Sequence, residues 1–418
     1  MPPFTLPTTM KIVHQLDPNS TTLTMEEAPL PKLSHPEDCL IQVYTTSPCV
    51  GELHWQVWYP SIVPADSPRV PGTEAAGVVV QIPEGDAAQA SGFKVGDRVF
   101  FRVEPEQTGH LRQYSLARLS QMAHVPSTMG WIEAGSTALS SLTAWQGVFQ
   151  HGILDSRAIF GDAAALEKNQ KLGILITGAS GVVGGWAVYL AALAGAGRIV
   201  ALCNTLNTAY VKELGATETI DYKKESVAEW IAKDRATREV DFAFDCVGGS
   251  TLGTCWSAVR GGGVLLSITG DPEKEKPASS TKILANARWI LVTPNGTHLQ
   301  SIADLIAKER KCVTKVDSVL DFADFQQAFD KVEARKANGK VTFIPVHPSM
   351  VDTKLHHASA GLVLRPFLYV SIALFATPVK KGALPQIGAA VSPYGPIGKA
   401  EPRSKLSQDR ELQEKLFT

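Results

Sequence analysis

The fold is decided by Leu172-Gly173-Ile174-Leu175-Ile176-Thr177-Gly178-Ala179-Ser180-Gly181-Val182-Val183-Gly184. Its first six residues form an apolar run that is typical of a buried strand. Gly178 permits a tight turn, Gly181 lets the backbone approach a phosphate, and Gly184 lets a helix pack closely on the sheet. A helix over about 182–194 then points its N-terminal amides and dipole at the turn. The stretch predicts a pyrophosphate cradle for a nicotinamide dinucleotide.

The tip of the second strand, Arg198–Cys203, bears on which dinucleotide is bound. NAD sites usually place Asp or Glu at this tip to hold the ribose 2′-hydroxyl. Here Asn204 follows the strand and no acid stands beside it, which leaves room for a 2′-phosphate. Tyr222 and Lys223 are near in sequence. The tip therefore favours NADP over NAD.

Apolar strands alternate with helical windows from Lys171 onward, which predicts right-handed crossovers and a parallel sheet. The loop after the third strand, Phe244-Asp245-Cys246-Val247-Gly248-Gly249, should lie at the edge where ligands collect. Asp245 fits either a cofactor loop or a structural strand end. The predicted strands are 173–177, 198–203, 240–246, 264–268, 289–292 and a closing 339–346, and helices are predicted at 299–310 and 321–336. The candidate cofactor contacts are Gly178, Ser180, Gly181, Val182, Val183, Gly184, Asn204, Tyr222, Cys246 and Val247.

Residues 10–125 have a different pattern, with short extended runs between Gly and Pro turns. Few segments have helical periodicity, so this region predicts an all-β unit, a compact barrel.

Composition excludes several classes of partner. The 418 residues are 44% hydrophobic and carry a formal net charge of −1, so no general attraction to nucleic acid or anionic lipid is expected. Six scattered cysteines without a C-x-x-C pair indicate a reducing compartment. The N-terminus lacks the pattern of a secretory signal, and Arg365 and Pro366 interrupt the apolar segment 360–379. We therefore expect a cytoplasmic location, no membrane span, and a buried helix at 360–379.

The chain resembles the medium-chain dehydrogenase/reductase family over about 10–347. The resemblance implies an α/β protein with a GroES-like β-barrel catalytic domain at 1–150, completed by 295–347. A Rossmann doubly wound parallel sheet at 151–294 would bind NADP, and a C-terminal tail at 348–418 would be appended. The motifs that carry the resemblance are Pro71-Gly72-Thr73-Glu74-Ala75-Ala76-Gly77-Val78-Val79, Val95-Gly96-Asp97-Arg98-Val99, Leu142-Thr143-Ala144-Trp145, Glu213-Leu214-Gly215-Ala216, Ile220-Asp221-Tyr222 and Gly339-Lys340-Val341.

Zinc-dependent members of that family hold the metal by Cys, His and Cys. In this sequence Cys49 matches the first position, but Thr73 stands at the second and the third falls near Leu139. One thiolate cannot complete a site with three protein ligands. The lobe for a structural zinc is also absent, since no cysteine lies between 50 and 202. The resemblance therefore implies no metal, and His54 is expected to be a barrel or cleft residue.

Zinc-free members that resemble this chain are quinone reductases and enoyl reductases, including fungal enzymes of polyketide and secondary metabolite biosynthesis. The resemblance implies hydride transfer from NADPH to an activated alkene, with quinone reduction as the alternative. The substrate would be a small molecule, free or carrier-bound, and the protein a monomer or homodimer. Tyr59 lies where some enoyl reductases carry an acidic tyrosine, and the alternative interpretation is an aromatic residue that lines the cleft. Thr143 fits a contact near the nicotinamide, a helix cap or a core position. A redox-inert NADPH-binding sensor or structural protein is the alternative of another class.

The tail at 347–415 resembles the C-terminal part of a fungal short-chain dehydrogenase. The matching segments are Pro378-Val379-Lys380-Lys381-Gly382-Ala383-Leu384 and Tyr394-Gly395-Pro396-Ile397-Gly398-Lys399. The tail contains no Tyr-x-x-x-Lys pair and no glycine turn, so no second active site is expected. It is either a fragment appended by gene fusion or an artefact that joins two neighbouring genes. We expect it to be loosely docked or disordered.

Overall fold

The structure, a computed structural model, describes residues 6–67 and 69–344. These residues belong to the first of two units into which the chain divides, Met1–His347. The expectations for the tail at 347–415 and for a buried helix at 360–379 lie outside the described residues.

The N-terminal part is built from strands that reverse direction along the chain. β3 is buried along nearly its whole length, and it lies inside its sheet, paired with β4 on one edge and with β6 and β15 on the other. β1 and β2 form a separate antiparallel pair. The strands are β1 (Thr9–Gln15), β2 (Leu23–Pro29), β3 (Asp38–Ser47), β4 (Glu74–Gln81), β5 (Arg98–Arg102), β6 (Tyr114–Arg118) and β7 (Met122–His124). The helices that accompany and follow them are α1 (Trp55–Trp58), α2 (Asp86–Ser91), α3 (Trp131–Ala134), α4 (Ala138–Trp145) and α5 (Ala163–Gln170).

The second part is a six-stranded parallel sheet in the order β10-β9-β8-β11-β12-β13. The inner strands β8 and β9 are near-continuous apolar runs because helices cover parallel sheets on both faces, whereas the edge strands β10 and β13 carry polar residues. The strands are β8 (Gly173–Ile176), β9 (Arg198–Cys203), β10 (Glu218–Asp221), β11 (Val240–Asp245), β12 (Val259–Ser267) and β13 (Asn286–Trp289). The helices are α6 (Val182–Leu193), α7 (Thr208–Glu213), α8 (Val227–Ala232), α9 (Arg235–Arg238) and α10 (Gly249–Ala258).

The end of the described chain returns to the first sheet. The returning segment comprises α11 (Gly296–Glu309), β14 (Val316–Asp321), α12 (Phe325–Glu333) and β15 (Lys340–Ile344). β15 pairs with β3 through Phe343 and Thr46, which gives the sheet order β14-β15-β3-β4-β5-β7 with β6 on β3. The return brings residues near 340 beside residues near 74.

Helix α6 is apolar all round because it lies between the sheet and α4. It begins at the glycine turn, so its position fixes the pyrophosphate cradle. Helix α11 has one apolar face instead, formed by Leu299, Ile302 and Ile306 at helical spacing. Asn295 caps α11 by accepting a hydrogen bond from the amide of His298 at 2.8 Å, so the helix starts three residues before the predicted 299.

Two predicted elements were wrong in position. The strand predicted at 289–292 is β13, which ends at Trp289; Ile290 and Val292 are buried but lie beyond the strand. The helix predicted at 321–336 is preceded by β14 and begins at Phe325. β14 forms because it pairs in parallel with β15, a tertiary contact that local periodicity does not carry.

Candidate active site and dinucleotide cleft

The glycine turn lies at the carboxyl edge of the parallel sheet, directly after β8. Gly178 has a φ of 57°, a left-handed conformation that glycine adopts without strain. A Cβ at Gly184 would stand 2.2 Å from the carbonyl oxygen of Gly178, so only glycine lets α6 approach this closely. Helix α6 has no side-chain cap, and its first amides have no acceptor within the helix. The turn therefore fits a diphosphate group.

The loop after β11 borders this turn. A Cβ at Gly178 would be 3.1 Å from Val247 and 3.5 Å from Cys246, which places both predicted contacts beside the cradle. Asp245 fixes the loop: its carboxylate accepts hydrogen bonds from the Thr177 hydroxyl at 2.6 Å and the Gly248 amide at 2.9 Å. Asp245 is fully buried. Of its two interpretations from the sequence, this burial favours a structural residue at the end of the strand.

The tip of β9 reaches the same place. Asn207 donates a hydrogen bond to the Ser180 hydroxyl at 3.2 Å, which ties the segment after the tip to the glycine turn. Asn204 accepts from the amide of Leu206 at 2.8 Å. The amide of Tyr222 donates to the Cys203 carbonyl at 3.3 Å, and its ring is exposed. The structure thus gathers the predicted cofactor contacts at one edge of the sheet.

The sequence analysis did not identify one acidic residue that lies at this tip. Asp221 ends β10 and is paired in register with Cys203, so the neighbouring strand supplies an acid beside the tip. Its carboxylate accepts hydrogen bonds from the Thr205 hydroxyl and the Lys223 amide, and Lys224 lies 3.6 Å away. The bond from Thr205, followed by the other two contacts, lowers the pKa of Asp221. The signal in the sequence was the strand Glu218–Asp221, read as a parallel neighbour of β9.

Tyr59 reaches the carboxyl edge at the other end of the sheet. Its ring stacks on Trp289, with centroids 5.8 Å apart and planes 20° apart. Trp289 is in register with Ser267, whose hydroxyl donates to Asp245 at 2.9 Å. Tyr59 and Trp289 therefore form an aromatic pair between the N-terminal part and the parallel sheet, on the same edge as the glycine turn.

Thr143 lies in the middle of α4 and is 7% exposed. Its hydroxyl donates a hydrogen bond to the Leu139 carbonyl at 2.7 Å, a bond within the helix. The oxygen keeps lone pairs with which it can accept a further hydrogen bond. His54 stacks on Trp58 at 4.7 Å, as expected of an aromatic residue in a barrel or cleft.

The three positions that hold zinc in related enzymes converge in space. Glu52 accepts hydrogen bonds from the amides of Cys49, at 2.9 Å, and Gly72, which precedes Thr73. Glu74 accepts from the amide of Leu139 at 2.8 Å. The side chains at these positions are a thiol, a hydroxyl without a hydrogen-bond partner and an isobutyl group. That donor set does not fit a zinc ion with three protein ligands. In the described ranges no three His, Cys, Asp or Glu residues form a metal-binding group.

A buried charged cluster of Glu52, Glu74 and Lys340 lies beside these positions. The Lys340 ammonium lies 2.5 Å from a carboxylate oxygen of Glu74, and both side chains are buried. Burial alone would disfavour the ammonium, but Glu74 and the other negative groups around it raise the pKa of Lys340. Burial raises the pKa of Glu52 to about 7 and that of the Cys49 thiol to about 12. The sequence analysis did not identify this cluster. The sequence indicates it only through Glu74 and Lys340, each a charged residue on an otherwise largely apolar strand.

Within residues 6–67 and 69–344, no helix combines the length and apolar character that a membrane crossing needs.

Two family models match the chain. Residues 35–154 match the alcohol dehydrogenase GroES-like domain, and residues 214–342 match the zinc-binding dehydrogenase model. A probable zinc-binding oxidoreductase, mitochondrial, from Arthroderma benhamiae is 36% identical over 338 residues, covering 80% of this chain and 97% of that protein. A chloroplast envelope quinone oxidoreductase homolog from Arabidopsis thaliana is 28% identical over 346 residues, covering 80% and 99%.

A solved structure of similar fold is the quinone oxidoreductase from Coxiella burnetii. It aligns with a TM-score of 0.65 and 19% identity, and the match covers 81% of this chain and 100% of that one. At this identity the likeness concerns the fold: a GroES-like unit joined to a parallel dinucleotide-binding sheet.

Proposed function

This chain belongs to the medium-chain dehydrogenase/reductase family, and from that premise we propose that it reduces a conjugated carbon–carbon double bond with NADPH, without zinc. Membership makes the chain an oxidoreductase that uses a nicotinamide cofactor. One observation supports this proposal above the others. The chain has a glycine cradle for the dinucleotide on its parallel sheet, but two of the three positions that hold zinc in related enzymes have no zinc-binding side chain.

The cofactor when bound supplies a hydride, and the chain supplies its position. The amides at the start of α6 would hold the pyrophosphate, with Cys246 and Val247 along one side of the cradle. The preference for the 2′-phosphate rests on the neutral side chain of Asn204 and on the groups that surround the Asp221 carboxylate. Lys224 lies near the Asp221 carboxylate and partly offsets its negative charge beside a 2′-phosphate. Lys223 and Lys224 add positive charge at the same tip.

Zinc independence is supported by the charged cluster beside the metal position. A zinc ion needs thiolate, imidazole or carboxylate ligands that are free to turn toward it. Glu52 and Glu74 are instead committed to backbone amides and to Lys340. Cys49 is the one zinc donor among the three positions, because Thr73 and Leu139 stand at the other two. The residues therefore form a structural cluster beside the positions that hold the metal in zinc enzymes.

The aromatic pair supports a flat, conjugated substrate. Hydride addition to the β-carbon leaves an enolate, which needs hydrogen-bond donors and then a proton on the α-carbon. We propose that the Tyr59 hydroxyl donates this proton and that stacking on Trp289 holds its ring in place. We assign Thr143 a positioning role at the nicotinamide, where the remaining lone pairs of its hydroxyl oxygen would accept a hydrogen bond.

A quinone is the second candidate, because the relative from Arabidopsis thaliana bears the name of a quinone oxidoreductase homolog. A quinone is also planar and conjugated, so the aromatic pair suits both substrates. We propose a cytoplasmic location, free or carrier-bound small-molecule substrates, and a monomer or homodimer. The relative from Arthroderma benhamiae is named mitochondrial, so cell fractionation of the native protein tests the location.

One assay panel tests the function. The purified chain is given NADPH with enoyl thioesters, unsaturated ketones or quinones, and the loss of NADPH absorbance is followed. We expect the fastest turnover with an unsaturated carbonyl compound, and activity that survives a chelator with less than stoichiometric zinc in the protein. Turnover with quinones alone would favour the second candidate. A stoichiometric zinc whose removal abolishes activity would contradict the zinc-free mechanism.

A further inference from the structure

A cavity of about 720 Å³ opens at the amino edge of the parallel sheet, opposite the dinucleotide cradle. It is bordered by Leu172 just before β8, by Asp241 near the start of β11 and by Gly262 in β12. The cradle follows the other end of β8. Asp241 and Asp245 are four residues apart on β11, which separates the two edges by about 13 Å. The volume is in the range of small-molecule sites, yet it lies outside the proposed active site.

The wall of this cavity is aromatic and has an unusual backbone. Trp145 and Phe149 line it, with ring centroids 4.9 Å apart and planes 69° apart. Phe149 lies on a π-helical turn, Gln146–Gln150, that continues α4. The turn closes through the His151 amide, which donates to the Gln146 carbonyl at 2.8 Å. Such turns are frequent at functional sites because the extra residue re-aims the side chains around it.

Glycines keep the opposite side of the cavity open. Gly262 and Gly263 line it, and a Cβ at Gly262 would meet no atom within 4 Å. Gly152 lies against the π-turn, where a Cβ would stand 2.3 Å from the Val148 carbonyl oxygen. The space is therefore bounded by backbone on one side and by rings on the other, a shape that suits a flat molecule.

The cations around the cavity differ in how they are paired. Asp155 accepts hydrogen bonds from Arg157 at 2.8 and 3.1 Å, and Asp241 lies 2.5 Å from Arg260. Each acid thus has an arginine partner. Lys168 also lines the cavity, and its exposed ammonium makes no direct hydrogen bond or ion pair with the described residues, although its charge helps to lower the pKa of Asp155. One ammonium without a direct partner suits one carboxylate better than a polyphosphate, which needs several cations.

We propose that this cavity binds a small planar aromatic monocarboxylate, with its ring against Phe149, which packs on the buried Trp145, and its carboxylate on Lys168. The site is separate from the reduction site and does not depend on the proposed substrate. α4 carries both Trp145, which lines the cavity, and Thr143, the proposed nicotinamide contact, so a ligand in the cavity adjoins the helix that holds that contact.

The test is a calorimetric titration of 2-naphthoate into the full chain, with NADPH saturating. We expect one bound molecule per chain with a Kd below about 1 mM. Lys168→Ala should weaken binding about fivefold, and Phe149→Ala at least as much, while Lys168→Arg retains it. The matched control is Lys171→Ala on the following turn, because Lys171 pairs with Glu167 at 2.8 Å and does not line the cavity.

Three results would overturn the proposal. The first is no saturable binding below about 1 mM. The second is an equal effect of Lys168→Ala and Lys171→Ala, which would indicate a general charge effect. The third is displacement of 2-naphthoate by a saturating substrate of the reductase together with no effect of Lys168→Ala, which would place the probe in the catalytic cleft. Because binding is read directly, inactivity of the enzyme on any substrate leaves the test intact.

Discussion

The ammonium of Lys340 on β15 lies 2.5 Å from the carboxylate of Glu74 on β4, although 265 residues separate them in the sequence. The same carboxylate accepts the amide of Leu139 at the start of α4. One buried acid therefore joins the returning strand, the first sheet and the helix that borders the cleft. The pair lies beside the three positions to which the family resemblance assigns zinc ligands in the zinc enzymes.

Lys340→Met should destabilise the protein by about 3–5 kcal/mol, because it leaves the Glu74 carboxylate buried without its cation. Urea unfolding followed by circular dichroism measures this change. The matched control is Lys171→Met, which removes an exposed pair with Glu167 and should cost about 0.5 kcal/mol or less. Equal effects of the two substitutions would show that the buried pair contributes no more than a surface pair.

The local parts of this arrangement could be predicted from the sequence, and the distant parts could not. The turn Gly178–Gly184 was placed correctly because its strand, glycines and helix are consecutive. β14 was overlooked because it forms through pairing with β15, and the predicted strand after Trp289 was only a buried apolar run. Asp221 reaches the tip of β9 through a neighbouring strand. Periodicity and glycine spacing describe such local units, whereas these contacts depend on how the units are brought together.

Glu52→Gln should change how stability depends on pH. Burial raises the pKa of Glu52 from 4.5 to about 7, so between these values the folded chain holds a proton that the unfolded chain has lost. The contribution of Glu52 to the free energy of unfolding is therefore greatest below about pH 4.5. It declines as pH rises through 7, by about 3 kcal/mol in all. Glutamine does not titrate, so the variant should lack this decline.

The measurement is urea unfolding of both proteins at several values between pH 5 and pH 8. The free energy of unfolding of the wild type should fall relative to that of Glu52→Gln as pH rises. Glu84→Gln, at an exposed position, serves as the control and should run parallel to the wild type. Parallel curves for Glu52→Gln as well would mean that the carboxyl is ionised throughout this range in the folded chain.

Asn204→Asp should move cofactor preference toward NADH. A carboxylate at this tip repels the 2′-phosphate of NADPH and can hold the ribose 2′-hydroxyl of NADH. We expect the ratio of the two dissociation constants to change by at least about tenfold, or about 1.4 kcal/mol. Fluorescence titration with each cofactor measures it. The control Asn19→Asp makes the same charge change at an exposed turn far from the sheet, and should leave the ratio unaltered. Tighter binding of NADH than NADPH by the wild type would contradict the proposed preference at the outset.

Tyr59→Phe should separate the two roles proposed for Tyr59, because phenylalanine retains the stack on Trp289 and removes only the hydroxyl. If the hydroxyl donates the proton to the enolate, kcat for an unsaturated carbonyl substrate falls about 100-fold while its KM changes little. Trp289→Leu should instead raise KM, since it removes the aromatic partner and leaves the hydroxyl in place. Steady-state kinetics of both variants against wild type measure the two effects. Full turnover by Tyr59→Phe would assign the proton to water, and Tyr59 would then serve only as an aromatic wall of the cleft.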